Sequence, residues 1–190
     1  MKKIILASGS PRRKQLLELA EIPFEVMVSN VEETFPSGLL PAQTALYIAE
    51  NKAEAVKKNL GNSNAQTIIA ADTIVVIDGE ILGKPADSED AFKMLRKLSG
   101  KIHKVITGVC ILSCQNKILF TEETEVEFRE LSDVQIKYYV NNFKPYDKAG
   151  AYAIQEWIGA IGIKSIKGDF YNVMGLPVSR VVEELGMVNT

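Results

Sequence analysis

The chain has 190 residues, of which 46% are hydrophobic and 24% charged, and a formal net charge of -2. This balance is typical of an ordinary globular protein with a sizeable core, and the small negative charge argues against broad nucleic-acid binding. No apolar run reaches membrane-spanning length and no N-terminal stretch resembles a signal peptide, so we expect a cytoplasmic protein with neither a membrane nor a nucleic acid as its partner.

Apolar periodicity, capping residues and turn residues predict an alternation of strands and helices. The first half of the chain is predicted to form a strand over 3–7, a helix from Pro11, a strand over 22–31 and a helix from about Pro41 to a stop at Gly61. A strand and hairpin turning at Asp78-Gly79 follow, then a helix capped near Asp87 and long strands over 103–131 that turn near Gln115-Asn116. The last part is predicted to form a helix with a Ser132 and Gln135 capping box, a strand over 157–169, and a helix with Pro177 in its first turn and a stop at Gly186. This order predicts the α/β class, a mixed sheet flanked by helices, with the long middle strands as candidates for a second lobe.

The N-terminal stretch "LASGSPRRKQLLELA" predicts a strand, a tight loop with the hydroxyls of Ser8 and Ser10, and a helix. Pro11 is a favoured first helical residue behind a Ser10 cap. Arg12 and Arg13 then lie at the positive end of the helix, where each cation is disfavoured by about 0.3–1 kcal/mol. A bound phosphate, held by loop N–H groups, hydroxyls and guanidinium groups, would remove this conflict. The alternative is that both arginines point into water.

Asp72 stands inside the otherwise apolar strand "IIAADTIVV" and is followed by the polar Thr73. Carboxylates are almost never fully buried without a partner. Asp72 is therefore either a strand-end cap or part of a buried salt bridge, or else a functional carboxylate that holds a metal or activates water. The neighbouring Thr73 favours the functional interpretation.

Lys52 lies on the flank of the apolar stripe of the helix that begins near Pro41. Its side chain either extends outward to solvent or reaches a phosphate in a cleft. Glu32 and Glu33 follow the second predicted strand. They are either solvated or, beside a phosphate, one of them is a candidate Mg²⁺ ligand, because Mg²⁺ combines one or two carboxylates with substrate phosphates.

Two non-periodic stretches, "ILGKP" and "DKAGAYAIQ", have the composition of binding loops. Gly83 and Pro85 fix the loop that presents Lys84. Gln155 carries a hydrogen-bond donor and an acceptor side by side, which suits recognition of a nucleobase edge.

The cysteines and the single histidine are expected to be structural. Cys110 and Cys114 lie on a predicted strand, about 13 Å apart, which is too far for a disulfide. We expect both to pack in the core or at a sheet edge. His103 has no acid or nucleophile at a recognised catalytic spacing.

Eight short motifs occur in order and together resemble the Maf family of nucleoside triphosphate pyrophosphatases. They are "LASGSPRR", "EE" at 32–33, "ENKA" around Lys52, "AADTIVV", "LGKP", "LRKLSG", "DKAGAYAIQ" and "VMGLP". The resemblance spans essentially the whole chain and implies a single domain over 1–190. It also implies an elongated α/β fold similar to the inosine triphosphate pyrophosphatases, with two lobes around a central cleft.

The resemblance implies cleavage of a nucleoside triphosphate between its α- and β-phosphates, with a divalent cation, Mg²⁺ or Mn²⁺, as cofactor. It places the general base on Asp72, which with Glu33 also holds the metal. The remaining family site residues correspond to Ser8, Arg12, Arg13, Lys52, Lys84 and Gln155. A nucleoside triphosphate is then the expected partner, and a homodimer is the expected assembly.

Family members that act on dTTP and UTP resemble this chain at Arg12, Thr73 and Gln155, where a related group favouring 7-methyl-GTP has other residues. The loop departs from the usual Tyr-Gly-Ile-Gln-Gly pattern, because Ala153 replaces the first glycine and Glu156 follows Gln155. A pyrophosphatase for 7-methyl-GTP or another modified nucleotide, and a non-catalytic nucleotide-binding regulator of cell division, are the alternative functions.

Overall fold

The computed structural model of the chain describes residues 3–29, 31–61, 66–114 and 116–186. The strands are β1 Lys3–Leu6, β2 Phe24–Val26, β3 Gln66–Ile77, β4 Glu80–Leu82, β5 Ile102–Leu112, β6 Lys117–Phe128 and β7 Ile163–Lys167. The helices are α1 Pro11–Leu19, α2 Pro41–Leu60, α3 Ser88–Leu98, α4 Asp133–Phe143, α5 Trp157–Gly162, α6 Phe170–Met174 and α7 Val178–Glu184, and a 3-10 turn covers Ala149–Ala151. Among these residues, no helix is both long and apolar enough to cross a bilayer.

The strands form one mixed sheet. Its order is β2-β1-β3-β5-β6-β7, and β4 pairs with β3 as a seventh strand. β1 runs parallel to both β2 and β3, whereas the β3–β4 and β6–β7 pairs are antiparallel. The parallel pairs follow from the helical connections through α1 and α2, because parallel neighbours need a crossover. The predicted α/β class with a mixed sheet is confirmed.

The chain divides into two compact units. The first unit comprises the described residues of Met1–Thr73, Thr107–Glu122 and Gly175–Thr190, and the second comprises Ile74–Ile106 and Glu123–Met174. The long strands β3, β5 and β6 each contribute residues to both units. The middle of the chain thus builds a compact unit of its own, as the long predicted strands suggested.

The core of the first unit forms where α2 packs on the sheet. Ala49, Ala53 and Val56 of α2 contact a cluster of buried strand residues, Ile5, Ala7, Ile68, Ala70, Cys110 and Leu112. The helix lies so close to β5 that a Cβ at Gly108 would stand 2.4 Å from the backbone of Ala45. Glycine at 108 is therefore a requirement of this helix–strand contact, and it fixes the height of α2 above the sheet.

Most predicted boundaries coincide with physical signals in the structure. The Asp87 side chain accepts a hydrogen bond from Asp90 N, and Ser132 and Gln135 form the predicted capping box. Asp78 and Gly79 have φ angles of 53° and 80° between paired strands, the geometry of a two-residue hairpin turn. The predicted glycine stops at Gly61 and Gly186 both have positive φ.

The strand predicted over 157–169 is wrong in its first half. Residues Trp157–Gly162 form α5, and only Ile163–Lys167 are extended. Gly159 allows this helix, because a Cβ there would lie 1.8 Å from the carbonyl oxygen of Ile154. The small residue at 159 therefore serves for close backbone approach, a requirement that depends on the fold and is not visible in the local sequence pattern.

Three further predictions need adjustment. Of the strand predicted over 22–31, the described residues form a strand at Phe24–Val26, at the edge of the sheet beside the short β1, and Asn30 lies outside the described residues. Pro177 is the N-cap of α7 and not a residue of its first turn, and the short α6 was not predicted. Of the turn predicted at Gln115-Asn116, Gln115 lies outside the described residues.

Cys110 and His103 have the structural character expected, whereas the prediction for Cys114 is wrong, because Cys114 lies beyond the end of β5 and is exposed. Cys110 is buried and Cys114 is exposed, and both are free thiols. His103 is buried in the second unit, where its Nε2 shares a hydrogen bond of 2.7 Å with the Tyr152 hydroxyl. Its ring also contacts the rings of Phe128 and Tyr152.

Burial of His103 should make the protein sensitive to mild acid. Burial lowers the pKa of His103 from 6.5 to about 4, so protonation below pH 6.5 favours the unfolded chain. The free energy of unfolding should be unaffected above pH 6.5 and should fall by about 3 kcal/mol as the pH drops to 4. Urea unfolding of the wild type and of His103→Gln between pH 7.5 and pH 4 measures this. As the pH falls, the free energy of unfolding should decrease more in the wild type than in His103→Gln. An equal decrease in both proteins would contradict the lowered pKa of His103.

Candidate functional site

The loop between β1 and α1 is organised around the hydroxyl of Ser8. Ser8 Oγ accepts a hydrogen bond from Ser10 N at 3.2 Å and a second from Arg13 Nη1, also at 3.2 Å. Ser10 occupies the N-cap position of α1, but within the described part of the chain its side chain makes no cap bond, contrary to prediction. The first turn of α1 also contains no acidic residue. This helix end thus lacks its usual side-chain acceptor, and an anion is a suitable partner for it.

Arg13 is a buried cation bound by the protein, and not an arginine that points into water. Its Nε donates to the carbonyl oxygen of Gly175 at 2.8 Å and its Nη2 donates to Thr73 Oγ1 at 3.1 Å. With the bond to Ser8, the guanidinium group joins three parts of the first unit that are far apart in sequence. Only 8% of Arg13 is exposed.

The charge of Arg13 is balanced by carboxylates in its own unit. Burial lowers the pKa of Arg13, the charges of Asp72 and Glu33 raise it, and the neighbouring Arg12 lowers it. A buried guanidinium group is tolerable only with such compensation, because an isolated buried charge is very costly. Arg12 itself is half-buried, at the same end of α1.

Lys52 joins the two carboxylates that the sequence singled out. Its Nζ lies 2.7 Å from Asp72 Oδ1 and 2.7 Å from Glu33 Oε1. Lys52 and Asp72 are 9% and 8% exposed, whereas Glu33 is exposed. The long side chain of Lys52 therefore reaches inward from the flank of α2, and Glu33 is the member of the glutamate pair that contacts it.

Thr73 connects the arginine to the centre of the sheet. Its Oγ1 accepts from Arg13 and shares a hydrogen bond of 2.9 Å with Thr107 Oγ1 on β5. Gly175 has a φ of 120°, a conformation that favours glycine, and this turns its carbonyl oxygen to Arg13. Thr107 and Gly175 were not predicted as site residues, because Gly175 lies 162 positions from its partner Arg13.

Two predicted site residues, Lys84 and Gln155, belong to the second unit. Both are exposed. Lys84 follows β4, and the carbonyl oxygen of the preceding Gly83 accepts a hydrogen bond of 3.0 Å from Gly150 N. The structure thus ties the Lys84 loop to the segment that leads to Gln155.

The donor set of the first unit fits a hard divalent cation better than a soft one. Asp72 and Glu33 offer carboxylate oxygens, which Mg²⁺ and Mn²⁺ prefer. Within the described residues no cluster of three or more histidine, cysteine or carboxylate side chains is arranged to hold a metal. A cation at Asp72 and Glu33 would therefore need further oxygens from a substrate.

Comparison with known proteins identifies the family. The family model described as "Maf-like protein" matches residues 3–188. A protein of Cytophaga hutchinsonii named dTTP/UTP pyrophosphatase is 55% identical over 96% of this chain and 82% of its own. One of Phocaeicola vulgatus with the same name is 52% identical over 96% of this chain and 94% of its own.

Among solved structures, a nucleoside-triphosphatase, dITP/XTP pyrophosphatase, from Mycobacterium abscessus aligns with 98% of this chain and 96% of its own, at 14% identity and a TM-score of 0.45. The match of the family model to nearly the whole chain, and relatives at half identity, are decisive: the chain belongs to the family of Maf-like proteins.

Proposed function

We propose that this chain hydrolyses dTTP and UTP to the nucleoside monophosphate and pyrophosphate, with both units serving this one activity as a single domain. The observation that carries the proposal is the buried Lys52, which bridges Asp72 and Glu33 in the unit that also holds Arg13. This arrangement combines cations for a polyphosphate with a carboxylate able to accept a proton. The names of the relatives at about half identity support the choice of dTTP and UTP.

The triphosphate is proposed to bind at the start of α1. Arg12 supplies a half-buried cation there, and Ser10 and Ser8 supply hydroxyl groups. Arg13 has five N–H donors, three of which are bound to protein oxygens. Its contribution to phosphate binding is therefore through its charge and its remaining donors, while its bonded donors fix the loop.

Asp72 is proposed as the general base. Its carboxylate takes a proton from a water molecule as the water oxygen forms a bond to the α-phosphorus. The bond from the α-phosphorus to the bridging oxygen breaks, and pyrophosphate leaves with the electron pair. Lys52 is held 2.7 Å from Asp72 Oδ1 and, with Lys84, is proposed to stabilise the negative charge that develops on the phosphates.

Asp72 and Glu33 are also proposed to hold a divalent cation, Mg²⁺ or Mn²⁺. Such a cation neutralises phosphate charge and polarises the oxygens bound to it. Because Lys52 contacts one oxygen of each carboxylate, the carboxylates are already fixed close together. The protein thus pre-arranges the two ligands before a cation and a substrate bind.

Base selection is proposed to involve Thr73 and Gln155. Thr73 follows Asp72 in the sequence, and its hydroxyl is held in one position by hydrogen bonds to Arg13 and Thr107. Gln155 is exposed at the end of a largely buried segment. Its amide matches the donor and acceptor pair on the edge of thymine or uracil.

A nucleotide panel tests the proposal. The purified chain is incubated with Mg²⁺ or Mn²⁺ and each common triphosphate, several methylated triphosphates included, and pyrophosphate and orthophosphate are measured separately. We expect pyrophosphate from dTTP and UTP in preference to the others. Pyrophosphate from 7-methyl-GTP or another modified nucleotide alone would overturn the choice of base, and no product from any nucleotide would overturn the enzymatic function.

A further inference from the structure

The segment that carries Gln155 has an unusual backbone. Gly150 and Ala151 have φ angles of 66° and 59°, so two consecutive residues are in the left-handed region. For alanine this conformation is unfavourable, because its Cβ crowds the carbonyl oxygen. A Cβ at Gly150 would lie 3.0 Å from the side chain of Val75. The path of the segment is therefore maintained by its surroundings and not by local preference.

Tyr139 fastens this segment on both sides of Gln155. The Tyr139 ring lies on α4 and is fully buried. Its hydroxyl donates a hydrogen bond to Glu156 Oε2 and accepts one of 3.3 Å from Ala153 N. A single phenol oxygen thus binds the residue after Gln155 and the residue two positions before it.

Glu156 is held at its second oxygen as well. Lys148 Nζ lies 3.4 Å from Glu156 Oε1 and 2.7 Å from Asp147 Oδ1. The Lys148 side chain is only 9% exposed. Since Tyr139 binds Oε2 and Lys148 faces Oε1, the Glu156 carboxylate has one defined orientation.

A third attachment precedes Gln155. The Tyr152 hydroxyl is bonded to His103 Nε2 at 2.7 Å, and the Tyr152 ring packs edge-on against Phe128. Together with the Gly150 bond to Gly83, these contacts secure the backbone before Gln155. The Gln155 side chain itself is exposed and so remains available to a ligand.

We propose that Tyr139 and Glu156 are positioning residues that hold the backbone at Gln155 in one place, so that its amide meets the edge of a bound base in one register. This inference rests on the proposed function, because it assumes that Gln155 contacts a base.

The chemistry of the pair supports this role. Burial and the bond to Glu156 raise the pKa of Tyr139, so its phenol remains a donor throughout the working pH range. UTP presents an N–H donor beside a carbonyl acceptor, whereas CTP presents an amino donor beside a ring-nitrogen acceptor. On a fixed backbone the Gln155 amide meets the base edge in the one register that suits UTP, whereas on a loosened backbone it can shift to suit either base.

Tyr139→Phe tests the proposal, because it removes the hydroxyl and keeps the buried ring. The matched control is Tyr138→Phe, on the same helix, at a position that is 48% exposed. In Tyr139→Phe the preference for UTP over CTP, as a ratio of kcat/KM values, should fall about tenfold. The change should appear mainly as a higher KM for UTP with kcat retained, whereas a loss of folded protein would lower kcat without changing the preference.

Replacements at Glu156 add a graded comparison. Glu156→Gln keeps an oxygen that can accept from Tyr139 and should retain most of the preference for UTP. Glu156→Ala removes the acceptor and should lose the preference as Tyr139→Phe does. Equal behaviour of the glutamine and alanine variants would overturn the role assigned to the hydrogen bond.

A measurement that needs no catalysis separates this inference from the proposed function. Amide hydrogen exchange of residues 149–156 should be faster in Tyr139→Phe than in the wild type and unchanged in Tyr138→Phe. Unchanged exchange in Tyr139→Phe overturns the fastening, whatever the activity. If the wild type releases no pyrophosphate, the proposed function fails and the inferred base discrimination fails with it, even where exchange confirms the fastening. If turnover and exchange behave as expected but the UTP preference does not change, only the inference about Gln155 fails.

Discussion

Replacing Asp72 with asparagine should lower kcat for dTTP and UTP by about a thousandfold, the range expected for removal of a general base. Asparagine has nearly the same shape as aspartate, and its amide oxygen can still accept a hydrogen bond from Lys52. The contacts that fix Arg13 to Ser8, Thr73 and Gly175 do not involve Asp72. Nucleotide affinity should therefore change much less than turnover.

Single-turnover kinetics and equilibrium titration with a non-hydrolysable dTTP analogue measure the two quantities separately. Asp78→Asn is a suitable control, because Asp78 lies in the exposed β3–β4 turn with a φ of 53°, which asparagine also tolerates. The control should retain full activity. Near-normal turnover by Asp72→Asn would assign the base to another group. A parallel loss of binding would instead make Asp72 chiefly a ligand.

Isolated polar residues in apolar surroundings were the most informative part of the sequence. Asp72 was singled out because a carboxylate inside a buried strand needs a partner, and the structure supplies that partner as Lys52. The Lys52 side chain does not extend outward to solvent, because it is buried and bound to two carboxylates, and its contact with a phosphate stays a prediction. Conflicts between residue type and local environment can thus be recognised without a structure.

The partners of these residues could not be predicted, because they depend on contacts between distant segments. Arg12 and Arg13 are equivalent in the sequence pattern, yet Arg13 is buried and bonded to Gly175 whereas Arg12 is half-buried. Which neighbour turns inward depends on the 3.6-residue period of α1 relative to the sheet. No local signal pairs position 13 with position 175.

Helix α5, which the sequence pattern predicted as a strand, shows a related limit of prediction from local sequence. Residues 157–162 mix small residues with apolar ones over a single short stretch, and so short a pattern fits a buried strand as well as a short helix. The contact of Gly159 with the Ile154 carbonyl decides between them, and it exists only once the segment before α5 has its path. Tyr139 bonds to Ala153 in that segment and to Glu156 at the N-cap of α5, so the helix and the candidate base-reading loop share these contacts.

Lys52→Met should lower the free energy of unfolding by about 3 kcal/mol, because it leaves the buried Asp72 carboxylate without its ammonium partner. Glu33, which is 43% exposed at its side chain, can turn to solvent, but Asp72 cannot. Lys58→Met is the matched control, since Lys58 lies on the same helix in an exposed position. An exposed lysine of this kind should contribute less than about 1 kcal/mol.

The same variant tests whether Asp72 and Glu33 hold a divalent cation. In the wild type, Lys52 already offsets one of the two carboxylate charges and contacts both groups, so Mn²⁺ without nucleotide should raise the melting temperature only slightly. In Lys52→Met the same carboxylates lack a cation, and Mn²⁺ should raise the melting temperature by several degrees, about the size of a 1–2 kcal/mol gain. EDTA should reverse the gain, and adding Glu33→Gln to the variant should abolish it.

An equal response of Lys52→Met and wild type to Mn²⁺ would place the metal elsewhere. Unchanged stability of Lys52→Met would mean that Asp72 relies on a different partner. Because melting is measured without substrate, either result stands whether or not the chain hydrolyses a nucleotide.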